Sequence, residues 1–203
     1  MLQNRVDPFG RIITTPARGS WTGNRGVLHN EHKRIVAHYK TQAWIICRLE
    51  FKGRKREVMT PGRWTELFFL DEATALAAGH RPCFECRRED AVLFKSCWIA
   101  GNPAYNFSMK TAIKEIDSVI HQERIFQKQK VTYNGIASDL VDGCFVTLEG
   151  KAYVVKNGSA HQWTPHGYGE QVKLAAHSRV TILTPRSIVN ALRAGYVPQM
   201  NLS

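Results

Sequence analysis

The chain has 203 residues, 43% hydrophobic and 22% charged, the balance of a folded globular protein rather than a disordered one. Lys and Arg number 28 against 17 Asp and Glu, a formal charge of +11, and such a field attracts polyanions, nucleic acid before a membrane surface. The opening residues carry no apolar run of a secretory leader and no apolar stretch elsewhere is long enough to span a bilayer, so the expectation is a cytoplasmic protein with no membrane partner and with reduced cysteines.

Residues 1–40 read as an irregular basic arm, broken by Pro8, Gly10, Pro16, Gly19, Gly23 and Gly26. Within it, Gly23-Asn24-Arg25-Gly26 is a tight-turn signal. Its amides and arginine could face a phosphate, or the segment could be a turn and nothing more. Residues 43–51 read as a strand, followed at Lys52 to Arg56 by a hairpin turn with a basic tip. Residues 65–70 read as a further short strand. Asp71 is a helix N-cap for the alanine-rich run at Thr74 to Ala78, and Gly79 stops that helix.

Helix resumes near Glu89 and runs to about Ala100, with Val92, Leu93 and Phe94 expected to pack inward. Residues 109–125 form a second amphipathic helix with Ile113, Ile116 and Ile120 at helical spacing. Gln127 to Asn134 is polar and basic, a linker or exposed loop. From Gly143 onward the pattern is of strands: 144–148 and 152–155 around Glu149-Gly150-Lys151, a turn at Asn157-Gly158, and a strand at 180–183. A short helix over 187–194 ends at Gly195.

The most informative motif is Cys83-Phe84-Glu85-Cys86, two thiols at the spacing that holds one side of a tetrahedral zinc. A redox pair normally sits in a thioredoxin-like strand–helix unit, and none surrounds this one. The run from Phe69 to Arg88, with its alanine-rich helix leading into Ala78-Gly79-His80-Arg81-Pro82-Cys83-x-x-Cys86, resembles the metal-binding domain of Ada-type DNA-repair proteins. Ile46-Cys47-Arg48 resembles the strand end that carries that family's first ligand, so the likeness covers residues 43–90. It implies zinc on Cys47, Cys83 and Cys86, and a Cys47 thiolate able to take a methyl group from a DNA methylphosphotriester. The family's second ligand, four residues after the first, is Phe51 here and cannot bind metal. A fourth donor then has to come from His80, Cys97, another histidine or water. Cys97 and Cys144 read more simply as core thiols.

Lys52, Arg54, Lys55 and Arg56 lie near Cys47 in sequence, and Arg81, Arg87 and Arg88 flank the CxxC. Together they would make a phosphate-binding face, or else a solvated run of charge. Asp117, His121 and Arg124 share one helix face, so Asp117 and His121, with Cys47, are the candidate catalytic residues. The plainer alternative for them is a solvated ion pair. In His161-Gln-Trp-Thr-Pro-His166-Gly-Tyr168, Trp163 and Tyr168 could stack on bases, or pin a loop to the sheet.

The expected fold is α+β: a small Ada-like zinc module over 41–100, a helix and linker over 101–134, and a small, mainly antiparallel β unit over 135–203. The expected function is a DNA-binding zinc protein in repair or processing of damaged or modified DNA, with RNA left open as partner. Two alternatives stand beside it. One is a nuclease or glycosylase in which the module positions the substrate. The other is a stoichiometric methyl acceptor through Cys47.

Overall fold

The computed structural model describes residues 1–53 and 57–202. The architecture is α+β, with two six-stranded sheets and helices packed between and around them. The N-terminal sheet is built from β1 (Gln3–Val6), β2 (Ile12–Thr14), β3 (Trp21–Asn24), β4 (Ile45–Cys47) and β5 (Leu67–Phe69). After helix α1 (Glu72–Ala77), strand β6 (Arg81–Pro82) completes it in the order β2-β1-β5-β3-β4-β6. Residues 1–40 are therefore no loose arm. They supply half the strands of this sheet, and Val6 and Leu28 lie in its core. Glycine and proline mark the corners between strands of only three or four residues, too short to show a period in the sequence.

Asp71 caps α1 as expected, accepting from the Thr74 amide at 2.8 Å. Every residue of α1 is buried, and the C-terminal tail clasps it. Tyr196 donates its hydroxyl to Glu72 at 2.6 Å, and the Asn201 amide donates to Asp71 at 3.0 Å. Helices α2 (Arg88–Gly101) and α3 (Ile113–Arg124) follow. On α2, Phe94 and Trp98 face the core while Val92 and Leu93 are exposed, against expectation. Consecutive helix positions are rotated by about 100°, so three in a row cannot all face inward.

The segment expected as a linker is a hairpin of β7 (Ile125–Phe126) and β8 (Gln129–Lys130), which turns through Gln127 and Lys128 at positive φ, and it leads into β9 (Tyr133–Ile136). The C-terminal sheet then adds β10 (Phe145–Leu148), β11 (Lys151–Lys156), β12 (Ser159–Thr164), β13 (Gly167–Lys173) and β14 (Arg179–Ile182), before α4 (Arg186–Arg193). Its order is β13-β12-β11-β10-β14-β9, antiparallel throughout. Both expected tight turns are present. Glu149-Gly150 and Asn157-Gly158 have positive φ at both central residues, the turn that matches hairpin twist. One apolar cluster runs through Leu76, Phe94, Ile116, Val146 and Ile188, so the segments delimited from sequence share a core.

Asp71 also accepts from the hydroxyls of Thr74 (2.6 Å) and Tyr168 (2.7 Å), which ties α1 to both sheets and the tail. Asp71→Ala removes a cap and strands buried donors, and is expected to cost about 2–4 kcal/mol in urea unfolding. A loss below about 1 kcal/mol would show that the tail, not the carboxylate, holds this junction.

Candidate metal centre

The sheet register brings the thiols together. β3 and β4 pair antiparallel with Thr22 opposite Cys47, and β4 and β6 pair parallel with Ile46 opposite Pro82. The Cys83 amide donates to Ile46 O at 2.9 Å, which sets the CxxC turn beside the end of β4. The Sγ atoms of Cys47, Cys83 and Cys86 all lie within 4.8 Å of one another, and this trio could hold a metal ion. Tetrahedral thiolates at about 2.3 Å from zinc stand roughly 3.8 Å apart, so the donors need little movement to close on an ion. Soft thiolate donors suit zinc among the common divalent ions.

The electrostatics fit a cation. Cys83 and Cys86 are buried and Cys47 is half-buried. Hydrogen bonding from Cys47 draws the Cys83 thiol down to about 5 and the Cys86 thiol below its ordinary value, while Cys47 itself is pushed far up. The Glu85 amide also donates to Cys83 Sγ at 3.4 Å. Three crowded thiols cannot all ionise unless a cation replaces the proton Cys47 retains.

The trio lines a cavity of about 200 Å³. Its walls include Ile45, Leu49, Phe51, Val58, Trp64 and Phe68, with Arg48, Thr65, Glu66 and Glu85 as the polar part. None of the fourth ligands named from sequence joins the trio. His80 is fully buried, with its ring centroid 5.1 Å from that of Trp44 and 4.7 Å from that of Phe69. Cys97 and Cys144 are core thiols, raised by burial. Phe51, which replaces the expected second ligand, is a wall of the cavity instead.

The other candidates fare differently. Arg81 and Asp117 are a buried bidentate pair at 2.8 and 2.7 Å, so neither is free for phosphate or for catalysis. Arg87 is buried as well, paired with Glu72 at 2.8 Å and Asp90 at 2.8 Å over the Trp21 ring. His121 packs edge-on against Tyr39, and its Nδ1 lies 2.7 Å from Arg124. Trp163 donates to Thr74 Oγ1 at 3.1 Å and Tyr168 donates to Asp71, so both pin the β12–β13 hairpin to α1 and are not stacking platforms. Lys52 and Arg88 are exposed as expected, and so is Arg48, while Arg54, Lys55 and Arg56 lie outside the described residues. Sequence reasoning missed Trp64, Glu66 and Phe68 as cavity residues, because nothing local marks a strand edge that folds over a distant thiol.

Comparison of the chain with models of known families, with characterised proteins and with solved structures returns no match. Among the described residues no helix is long and apolar enough to cross a membrane.

Two outcomes are expected. Protein purified without added metal carries an equimolar thiophilic ion, and Cys83→Ser loses it, as read by elemental analysis; a folded, metal-free wild type would remove the metal reading. Separately, burial first, and then Arg25 and Arg124, hold His80 well below its ordinary value. The unfolded chain therefore takes that proton first. Stability present above about pH 6.5 is lost below it, at about 1.4 kcal/mol per pH unit until the folded state protonates. Urea midpoints should fall between about pH 6.5 and pH 5 and flatten in His80→Gln. An unchanged slope in the variant would point to another group.

Proposed function

We propose that this is a zinc–thiolate, DNA-binding protein that works on damaged or modified DNA, with Cys47, Cys83 and Cys86 holding the metal. The observation that carries the reading is the convergence of all three thiols on one largely apolar cavity. The charge of +11 and the Ada-like run from Phe69 to Arg88 support it.

Bound zinc would keep the thiolates ionised at neutral pH and supply a Lewis acid in the cavity. The rest of the work falls to the chain. β4 fixes Cys47 and the CxxC turn fixes the other two donors. Ile45, Val58 and Phe68 keep water away from the sulfurs, which strengthens every charge interaction there. Arg48 at the cavity, with Lys52 and Arg88 on the exposed surface, provides cations for the DNA backbone. Arg81 and Arg87 contribute to the fold instead.

A second reading, a stoichiometric methyl acceptor, is favoured by one observation: residue Cys47 is half-buried where Cys83 and Cys86 are buried, and it lines the cavity. In that step the Cys47 S–CH₃ bond forms as the O–CH₃ bond of a methylphosphotriester breaks. The phosphodiester leaves with the bonding electron pair.

The test is binding of a fluorescent duplex across a salt series, with intact-protein mass on duplex bearing methylphosphotriesters. Binding is expected to weaken steeply with salt, and Arg48→Glu with Lys52→Glu is expected to weaken it at least about tenfold and flatten the salt slope. No binding at low salt, or binding indifferent to both charge reversals, overturns the DNA reading. A single methyl gained on Cys47 selects the acceptor, and repeated change of the DNA by one protein molecule selects an enzyme.

A further inference from the structure

The opposite end of β4 carries a different chemistry. The same register that pairs Cys47 with Thr22 sets Asn24 opposite Ile45 and Ile45 opposite Arg81, so Arg25, Trp44 and His80 stand side by side. The guanidinium carbons of Arg25 and Arg124 lie 3.8 and 3.9 Å from the Trp44 ring centroid. Lys130 reaches in beside them and donates to Ala77 O. All three cations line one cavity of about 640 Å³.

Among the described residues none of the three forms an ion pair. Arg25 (1% exposed) donates to Gly10 O at 2.9 Å and to His80 Nε2 at 3.2 Å. Arg124 (2% exposed) donates to Gly79 O at 2.8 Å and Gln42 O at 2.6 Å. Arg25 Nη2 and Arg124 Nε have no hydrogen-bond partner. The carboxylates that act on this cluster are committed elsewhere, Asp7 to Arg11 at 2.6 Å and Asp117 to Arg81. Burial depresses Arg25 to about 9, and burial reinforced by repulsion from the neighbouring cations depresses Arg124 to about 8 and Lys130 to about 7. A fold that buries cations without anions bears a large desolvation cost, and a resident anion removes it.

We propose that this cavity binds a phosphate monoester or anhydride, with its phosphate seated against Arg25, Arg124 and Lys130. Charge decides the class. Three cations, two of them with planar forks, match a dianion with several acceptor oxygens, whereas a carboxylate or a phosphodiester offers a single negative charge. Size points the same way, since the cavity falls in the range that holds a small molecule rather than a bare ion. Phe9, Ile12 and Ile35 give it an apolar wall for the body of the ligand, and the exposed Lys128 adds a cation at its rim. The Gly23-Asn24-Arg25-Gly26 segment, expected as a tight turn, is instead the end of β3 and the bend after it, which puts Arg25 here, at the far end of β4 from the thiols.

The site stands apart from the metal reading, and the test keeps them separate. Thermal unfolding is followed with inorganic phosphate, with pyrophosphate, and with matched oligonucleotides ending in a 5′-phosphate or a 5′-hydroxyl. A ligand at about one hundred times its Kd is expected to raise Tm by roughly 5–10 °C. Lys130→Met, which removes a half-buried charge and should fold at least as well as the parent, is expected to abolish most of that rise. Arg25→Gln, which keeps a donor near Gly10, is expected to do the same, while Cys47→Ser leaves the rise intact. A response to pyrophosphate alone supports the site with a small-molecule source, and a response that needs the 5′-phosphate supports it with a nucleic-acid end as source. No response to any probe, or one unchanged in both Lys130→Met and Arg25→Gln, overturns the proposal.

Discussion

The parallel pairing of β4 with β6 is the constraint on which both sites depend. Two backbone hydrogen bonds define it, Arg81 N to Trp44 O at 3.0 Å and Cys83 N to Ile46 O at 2.9 Å. A parallel pair needs a crossover, and here α1 lies in that connection, buried along its whole length. The crossover closes tightly at Gly79, which has φ of +90°, and a Cβ there would lie 2.5 Å from the Arg124 side chain. A side chain at this position would displace Arg124 from Trp44 and disturb the approach to Cys83 at once. The alanine-rich sequence of α1 follows from the same geometry, because only small residues let a helix sit this deeply between two sheets.

Buried charge divides into two kinds in this molecule, and the division decides which residues are structural. Arg81 hydrogen-bonds Asp117, and Arg87 is ion-paired with Glu72 and hydrogen-bonded to Asp90. Such pairs roughly offset their own desolvation, so they hold elements together without leaving charge to spare. Arg25, Arg124 and Lys130 have carbonyls, an imidazole and an indole for company, and among the described residues no carboxylate is ion-paired with them. Those contacts recover only part of the lost hydration. The first kind explains why Arg81 and Arg87 cannot serve a phosphate-binding face despite flanking the CxxC, and the second marks where an anion would lower the energy of the whole assembly.

What was legible in the sequence was local. The Asp71 cap, the two glycine turns of the C-terminal sheet and the spacing of Cys83 and Cys86 each depend on residues within a few positions of one another. Cys47 is singled out by family likeness, and the register of β4 sets it beside Cys83 and Cys86. The strands of the first 24 residues were not legible, because each is only three or four residues long and the pairings that join β1 and β3 to the rest of the sheet are distant: β1 pairs with β5, and Trp21 lies opposite Phe69. Trp163 and Tyr168 look alike as base-stacking or anchoring residues until Thr74 and Asp71 are seen to receive their protons. The cationic cavity was the hardest to see. Arg25 is distant in sequence from Arg124 and Lys130, which flank one hairpin, and a buried arginine reads in sequence as an exposed one.

The separation of thiols and cations along β4 has its own physical logic. Trp44 and Cys47 are three residues apart, about 10 Å along an extended strand. At that distance, with an effective dielectric constant of about 20, a cation and a thiolate attract by roughly 1.7 kcal/mol, against about 4 kcal/mol in contact. Placed in one cavity, arginines and thiolates would neutralise each other. The sulfurs would lose their hold on a metal and the guanidiniums their hold on an external anion. Set at opposite ends of one short strand, they share a scaffold while each keeps its charge for a ligand of its own.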